Sequence, residues 1–524
     1  MSVTKGKAMA CIATGLALAV ALTTGASARP LPLQELGSRP SVAQSTTIFF
    51  QLEPELQRFV DRQERLPGQE SRVVVRISPE PATGTIWVDL DSGYLPRGQA
   101  AFSEDLGDKI GEITDELSSY LSGIVEFKYV RARIGGKTLD ELFPPEYLKE
   151  RKGKRSGMAP VPGLVVLNPG HGKYLHHADS TWRHQRPEPY AGTADVYEDL
   201  VTPGYSSVLA AWLGHRSSDI ATDIRHTRAI YEAGIDPESN LPWSELAARY
   251  HIKRLHPDLG PAIWNLFPNG VPDRPDRKNL REYDEDLVAR PKYANYLNAE
   301  VLISLHTDAG PPTARGASVM TKLGDAPSVQ LANNILCYMR EQIQGQEDYS
   351  DFVIRPNLGD GSRKAEVREA AMTTALIEIG FHTNMEDSVA LRDSAFRSAA
   401  MRGVDKGYRT FKRGETDCRP LTITDAPPVT GPHLTEIPYV LQFSGTPAYP
   451  IYLRSKIVSC PPDYRCAQNS QQFASPGSTP GTLSGIAKCT VVRPIPGSVI
   501  VLDRYLEDSD GVRSPMVRTS ITCT

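Results

Sequence analysis

Gly163-Leu-Val-Val-Leu-Asn-Pro-Gly-His-Gly172 is an apolar run of strand length that ends on a histidine between two glycines. Glu300-Val-Leu-Ile-Ser-Leu-His-Thr307 repeats the arrangement, with His306 at the end of the run. Short runs rich in Val, Leu and Ile read as buried strands. In open α/β sheets, ligands bind beyond the carboxyl ends of such strands. His171 and His306 are therefore expected at neighbouring strand ends, where they can converge on one metal ion. A third run, Thr374-Ala-Leu-Ile-Glu-Ile-Gly-Phe-His-Thr-Asn384, brings Glu378 near a similar edge. The common explanation is an α/β zinc hydrolase.

Catalytic zinc usually takes three protein ligands, often two His and one carboxylate, and keeps one position open. Glu198 is the better carboxylate: it precedes Val208, Leu209, Trp212 and Leu213, which are spaced as one face of a helix. Glu188, between Pro187 and Pro189, is the rival and reads as a loop residue. Each residue also has a plainer reading. An acid at a helix start is favoured by the helix dipole, and Glu378 at a strand end could simply pair with Arg or Lys. His176, His177, His184 and His382 read as surface or substrate-side residues, and Asp308 as a turn or cap residue. Pro169 and the glycines around His171 fit turn chemistry, though glycine also permits close approach to the backbone.

In order, Pro169 to Gly172, Glu198, Ser304 to His306 and Glu378 to Asn384 resemble the motifs of the zinc-dependent N-acetylmuramoyl-L-alanine amidases, amidase type 3. Arg290-Pro-Lys-Tyr-Ala-Asn295 and the helical stretch Ser328 to Ile343 resemble two further family segments. The resemblance runs from Gly163 to Phe411, and four ordered motifs carry far more weight than any one. It implies a central mixed sheet flanked by helices, with Zn²⁺ held by His171, Glu198 and His306. It further implies Glu378 as the general base and peptidoglycan as substrate, cut between N-acetylmuramic acid and the L-alanine of the stem peptide. The residues alone argue only for metal-assisted hydrolysis of an amide or ester.

Composition agrees with an envelope substrate. Lys5 and Lys7 precede an apolar stretch from Ala8 to Leu22, and Ala26-Ser27-Ala28 supplies small residues for cleavage. Residues 1–28 therefore read as a secretory signal peptide, too short in its apolar part for an anchor, and export to the periplasm or cell exterior is expected. No other segment is apolar enough to span a bilayer, so no transmembrane segment is expected. A formal net charge of -4 offers no whole-chain attraction to nucleic acid or anionic membrane.

At 524 residues the chain is too long for one core, and two or three domains are expected. Residues 29–46 read as a linker, 47–145 as a small α+β domain, 146–162 as a second linker and 163–413 as the catalytic domain. The strand Thr85 to Leu90, the following helix and the strand ending in Ile134-Gly-Gly-Lys resemble the GerMN-type domain of envelope and spore proteins. Residues 417–524 read as a disulfide-containing β domain, with Cys418, Cys460, Cys466, Cys489 and Cys523. Cys337, beside Leu336 and Met339, is expected as a buried thiol. The insertion from about Ala229 to Asp284 is long for a structureless loop. It is expected to wall or cover the cleft, or to block it until a protein activator moves it, or else to pack behind the sheet. The rival readings are another zinc amidohydrolase or carboxypeptidase, and a non-catalytic or regulatory wall-binding protein. Oligomeric state is left open.

Overall fold

The computed structural model describes residues 39–151, 159–186, 196–231, 234–267, 279–462, 464–466, 470–477, 479–490 and 495–524. The expected signal peptide and Glu188 lie outside the described residues. Pro40–Thr524 forms one compact unit, in which three lobes follow one another along the chain.

The first lobe pairs two helices with a small sheet. Helix α1 (Thr46–Arg62) buries Phe49, Leu56 and Val60, and α2 (Glu104–Leu121) buries Leu106, Ile110, Ile113, Leu117 and Leu121. They pack on β1 (Val75–Glu80), β2 (Thr85–Leu90) and β3 (Tyr129–Ile134); β1 runs antiparallel and β3 parallel to β2. Ser103 caps α2 by accepting from the Leu106 N–H, with Glu104 and Asp105 in the positive first turn. Two short helices, α3 (Leu139–Leu142) and α4 (Glu146–Arg151), lead out of the lobe. The expected linker at 146–162 thus starts as a helical turn, as its Glu-Tyr-Leu-Lys-Glu-Arg composition favours. Helix α1 was not anticipated, although Phe49, Leu52, Leu56 and Val60 lie on one helical face.

The central lobe is a six-stranded mixed sheet in the order β10-β9-β11-β8-β4-β7. Its strands are β4 (Val161–Pro169), β7 (Asp223–His226), β8 (Ala299–Asp308), β9 (Ser318–Thr321), β10 (Gly359–Asp360) and β11 (Thr373–Phe381). Strands β7, β4, β8 and β11 are parallel, and β9 is antiparallel to β11. Alternation along the strands fills two cores. Val165, Leu167, Val301, Ile303, Leu305, Ile377 and Ile379 face one cluster, with the helices α5 (Glu198–Arg216), α8 (Ala326–Gln344) and α11 (Ser394–Lys412). Leu164, Val166 and Leu302 face the other, with Ala294 of α7 (Arg281–Tyr296). Such double burial is why the runs are continuous rather than alternating in polarity.

A small hairpin, β5 (Lys173–His176) with β6 (Thr181–His184), follows β4. The described part of the insertion contains α6 (Ala248–Leu255), whose Ala248 and Ile252 pack on Ala289 and Tyr293 of α7. The short α9 (Ala365–Arg368) precedes β11, and α10 (Met385–Arg392) follows it.

The third lobe is two facing sheets. One joins β12 (Thr422–Asp425), β14 (Glu436–Ser444) and β17 (Thr482–Lys488). The other joins β13 (Val429–Gly431), β19 (Val517–Cys523), β18 (Ser498–Glu507), β15 (Ile451–Ser459) and β16 (Ser470–Phe473). Disulfides join Cys460 to Cys466 and Cys489 to Cys523. The expectation of a free Cys337 is corrected: it is bonded to Cys418, tying α8 to the chain just beyond α11. Apolar neighbours suit a half-cystine as well as a thiol, so the local sequence could not separate the two.

Candidate metal centre

The carboxyl edge of the parallel strands gathers the residues that the sequence singled out. His171 lies two residues beyond β4, and His306 lies two residues from the end of β8. Glu378 of β11 is the register partner of His306. Leu305, Ile377 and Ile379 face the larger core, so alternation turns His306 and Glu378 together to the opposite face. Glu198 is the first residue of α5, which brings its carboxylate over the same edge.

His171, Glu198 and His306 each offer one ligand atom, and these atoms lie within 4.8 Å of one another. His306 Nδ1 is 2.9 Å from Glu198 Oε1, and His171 Nε2 is 3.5 Å from the same oxygen. The three residues and Glu378 are each at most 5% exposed. The cluster is a zinc-type donor set: two imidazoles and a carboxylate, enclosed by protein.

The remote nitrogen of each histidine is also spoken for. His171 Nδ1 lies 3.3 Å from Gln185 Oε1, and His306 Nε2 lies 2.9 Å from Glu366 Oε1. Arg290 of α7 joins these two supports, donating to Gln185 Oε1 at 3.0 Å and pairing with Glu366 and with Asp286. Asn168 Nδ2 donates to Ser304 Oγ at 3.0 Å and to Glu366 Oε1 at 3.3 Å. Partners of this kind fix the tautomer and orientation of a ligating imidazole. Arg186 stands on the ligand side, its Nε 3.0 Å from His171 Nε2 and 3.6 Å from Glu198 Oε2. A guanidinium in that place opposes a cation on the same donors, against the attraction of the Glu198 and Glu366 carboxylates.

The field of the site follows from these neighbours. Burial opposes charge on His306, but the Glu366 and Glu198 carboxylates outweigh it and raise its pKa to about 10. The same negative field favours a bound cation. Burial and the Arg186 guanidinium instead hold His171 well below the usual histidine range. Burial, helped by the nearby Asp308, pushes Glu378 up to about 8. Its Oε2 is buried with no hydrogen-bond partner among the described residues.

Backbone chemistry explains the Pro-Gly-His-Gly stretch. A Cβ on Gly170 would lie 2.3 Å from the His306 ring, and one on Gly172 would lie 2.6 Å from the Ala247 backbone. The glycines admit a second ligand and the insertion. His171 itself has φ +60°, the left-handed region that costs a non-glycine residue energy. Ala247 donates its N–H to Lys173 O at 3.0 Å, so the insertion lies along the loop that carries His171. Buried Arg228 reinforces this contact, donating to Leu246 O at 2.8 Å and to Asp199 O at 2.6 Å.

Other expectations fare differently. Asn384 is an N-cap, accepting from the Glu386 and Asp387 N–H groups at the start of α10. His382, expected at the surface or the substrate side, is instead buried, with Nδ1 2.9 Å from Thr307 Oγ1. It follows β11 directly and turns inward with the chain. His184 pairs with buried Asp199, and His176 with Asp179. Gln185, Asp286 and Glu366 belong to no recognisable motif, and Arg290 opens the Arg-Pro-Lys-Tyr-Ala-Asn segment, whose residues alone give it no role.

The family model for N-acetylmuramoyl-L-alanine amidase matches residues 273–409, a span that includes His306 and Glu378. The mixed α/β architecture of the central lobe is consistent with an amidase type 3-like fold. An N-acetylmuramoyl-L-alanine amidase of Mycobacterium tuberculosis is 32% identical over 127 residues, covering 22% of this chain and 51% of that protein. The chain thus spans about half the length of the curated relative that it matches. Among solved structures, an N-acetylmuramoyl-L-alanine amidase from Clostridium difficile 630 has a TM-score of 0.30 at 16% identity, covering 48% of this chain and 97% of that one. The amidase Ami1 from Mycobacterium abscessus has a TM-score of 0.29 at 14% identity, covering 48% and 98%.

Proposed function

We propose that this protein is an exported, zinc-dependent peptidoglycan amidase that hydrolyses the bond between N-acetylmuramic acid and the L-alanine of the stem peptide. The observation that carries the reading is the buried convergence of His171, Glu198 and His306 beside the unpartnered carboxylate oxygen of Glu378. A wall-binding role would need no such base, which favours an enzyme over the non-catalytic alternative. The match of residues 273–409 to the amidase family supports the substrate.

In this reading His171, Glu198 and His306 hold the zinc. When bound, zinc supplies Lewis-acid polarisation of the scissile carbonyl and a more acidic attacking water. Glu378 accepts the water proton and passes it to the departing amine nitrogen. A carboxyl group near neutral pKa suits both directions of transfer, and burial with Asp308 nearby pushes Glu378 into that range. Gln185 and Glu366 orient the two imidazoles, and Arg290 holds both orienting groups. We read 47–145, 163–413 and 417–524 as the domains, with the C-terminal one attaching or positioning the enzyme on the wall. Among the described residues no helix is long and apolar enough to cross a membrane.

Purified sacculi and soluble muropeptides test the reading, with products analysed in the presence and absence of a chelator. Release of free stem peptides that stops on chelation and returns with zinc is expected. Cleavage within the peptide would instead identify a carboxypeptidase or endopeptidase. Binding to sacculi without any product would make this a wall-binding protein.

A further inference from the structure

Glu366 belongs to none of the motifs that pointed to the site, yet its Oε1 lies 2.9 Å from His306 Nε2. It sits on a strap made of β10, a turn at Gly361–Arg363 and α9. Within the central lobe, β10 pairs with β9 through Gly359 and Asp360, and Val367 of α9 packs on Met320 and Leu376. Much of its remaining anchorage comes from the first lobe. Asp360 pairs with Arg131 at 2.6 Å, Arg363 with Asp115 at 3.2 Å, and Lys364 with Asp108 at 2.6 Å. The Ala365 N–H donates to Glu104 Oε1 at 2.7 Å. Arg368 donates to the Phe143 carbonyl and lies over the Phe102 ring. The strap backbone comes closest at Gly107 of α2, where a Cβ would lie 2.1 Å from the Arg363 carbonyl oxygen, and the Arg363 side chain lies over Gly111, where a Cβ would be 1.8 Å from Nη1.

The strap therefore has two faces. Residues 360, 363, 364, 365 and 368 grip the first lobe, while Glu366 reaches the other way to His306, Arg290 and Asn168. We infer that Glu366 is a positioning residue for His306, and that the first lobe sets the metal centre by holding the strap that presents it. Ion pairs with partly exposed members contribute little singly. Several of them, together with a backbone contact admitted only by glycine, define where Glu366 can stand. The inference rests on the zinc reading of the site. It makes the first lobe part of the catalytic unit rather than a spacer.

Zinc affinity of the full-length protein, measured by competition with a chelating dye, tests this without relying on turnover. Loss of an outer carboxylate partner typically weakens metal binding about ten- to a hundred-fold. Glu366→Gln is expected to fall in that range while circular dichroism shows the fold retained, although loss of the buried pair with Arg290 lowers the unfolding midpoint. Gly107→Leu should wedge the lobe from the strap and weaken zinc by a similar factor. The double variant should lose no more than Glu366→Gln alone, because both changes act through one contact. If Gly107→Leu does not fold, Lys364→Ala takes its place with the same expected direction and the same non-additivity. Wild-type zinc affinity in Glu366→Gln overturns the positioning role. Unchanged affinity in the lobe variant, or fully additive losses, overturns the coupling to the first lobe. A wild-type protein that binds no zinc would instead remove the zinc reading itself.

Discussion

His171 combines a left-handed backbone, near-complete burial and a supported side chain, a costly arrangement for a residue that merely fills space. His171→Ala or His306→Ala is expected to abolish zinc binding and hydrolysis while circular dichroism shows the sheet retained. Full zinc occupancy in either variant would refute the ligand assignment. Glu198→Ala should behave in the same way; if it keeps zinc while Glu188→Ala loses it, Glu188 is the ligand. Glu378 plays a different part. Glu378→Gln keeps its size and removes the proton-accepting charge, so zinc should remain while turnover falls about a hundred- to ten-thousand-fold. Near-normal turnover in that variant would make Glu378 structural. The two histidines and Glu378 were legible because each ends or nears the end of a strand-length apolar run. Gln185 and Glu366 were not, because a polar residue's partner far along the chain leaves no local spacing to read.

The elements that support the site carry charge into partly closed surroundings. Glu104, at the start of α2, faces Lys364, Asp108, Glu366 and the Ala365 N–H. Burial raises its pKa from 4.5 to about 7, with Lys364 opposing and Asp108 and Glu366 adding to the rise. The folded protein therefore keeps a proton on Glu104 in a range where the unfolded chain has released it. Stability from this group is present below about pH 4.5 and falls as pH rises toward 7. Glu104→Gln retains an acceptor for the Ala365 N–H and removes the titration. Its unfolding midpoint is expected to drop less between pH 5 and pH 8 than that of the wild type. An identical drop in both proteins would show that Glu104 titrates normally. Helix α2 itself was readable from its apolar spacing. That Gly107 lies against another lobe was not, since a glycine inside a helix gives no sign of what approaches it.

Across the whole molecule, the Cys337–Cys418 bond joins the central lobe to the start of the third, and Arg216 pairs bidentately with Asp510 between the same two lobes. The bond closes a loop with a sequence separation of 81, for which the chain-entropy argument gives roughly 4 kcal/mol. Replacing both cysteines by alanine should lower the unfolding midpoint measurably while zinc affinity stays unchanged, because no proposed ligand is a cysteine. A loss of zinc in that variant would show that α8 and the metal centre are mechanically linked. The expectation of a stapled β-rich C-terminus needed only composition and export, but the pairing required distances.

Local periodicity and turn chemistry alone specify the strand runs, the helix that Glu198 opens, the α/β class and the donor types. The sequence also places the donors at one edge, since parallel strands with both faces buried must leave their carboxyl ends as the open rim. Which polar groups stand behind those donors is settled by packing between distant segments. Arg290, Gln185 and Glu366 meet through three separate segments, and the first lobe reaches the site through a strap that belongs to the central one. Contacts of that kind depend on how finished elements pack, and packing geometry is not encoded in the spacing of any single stretch of chain.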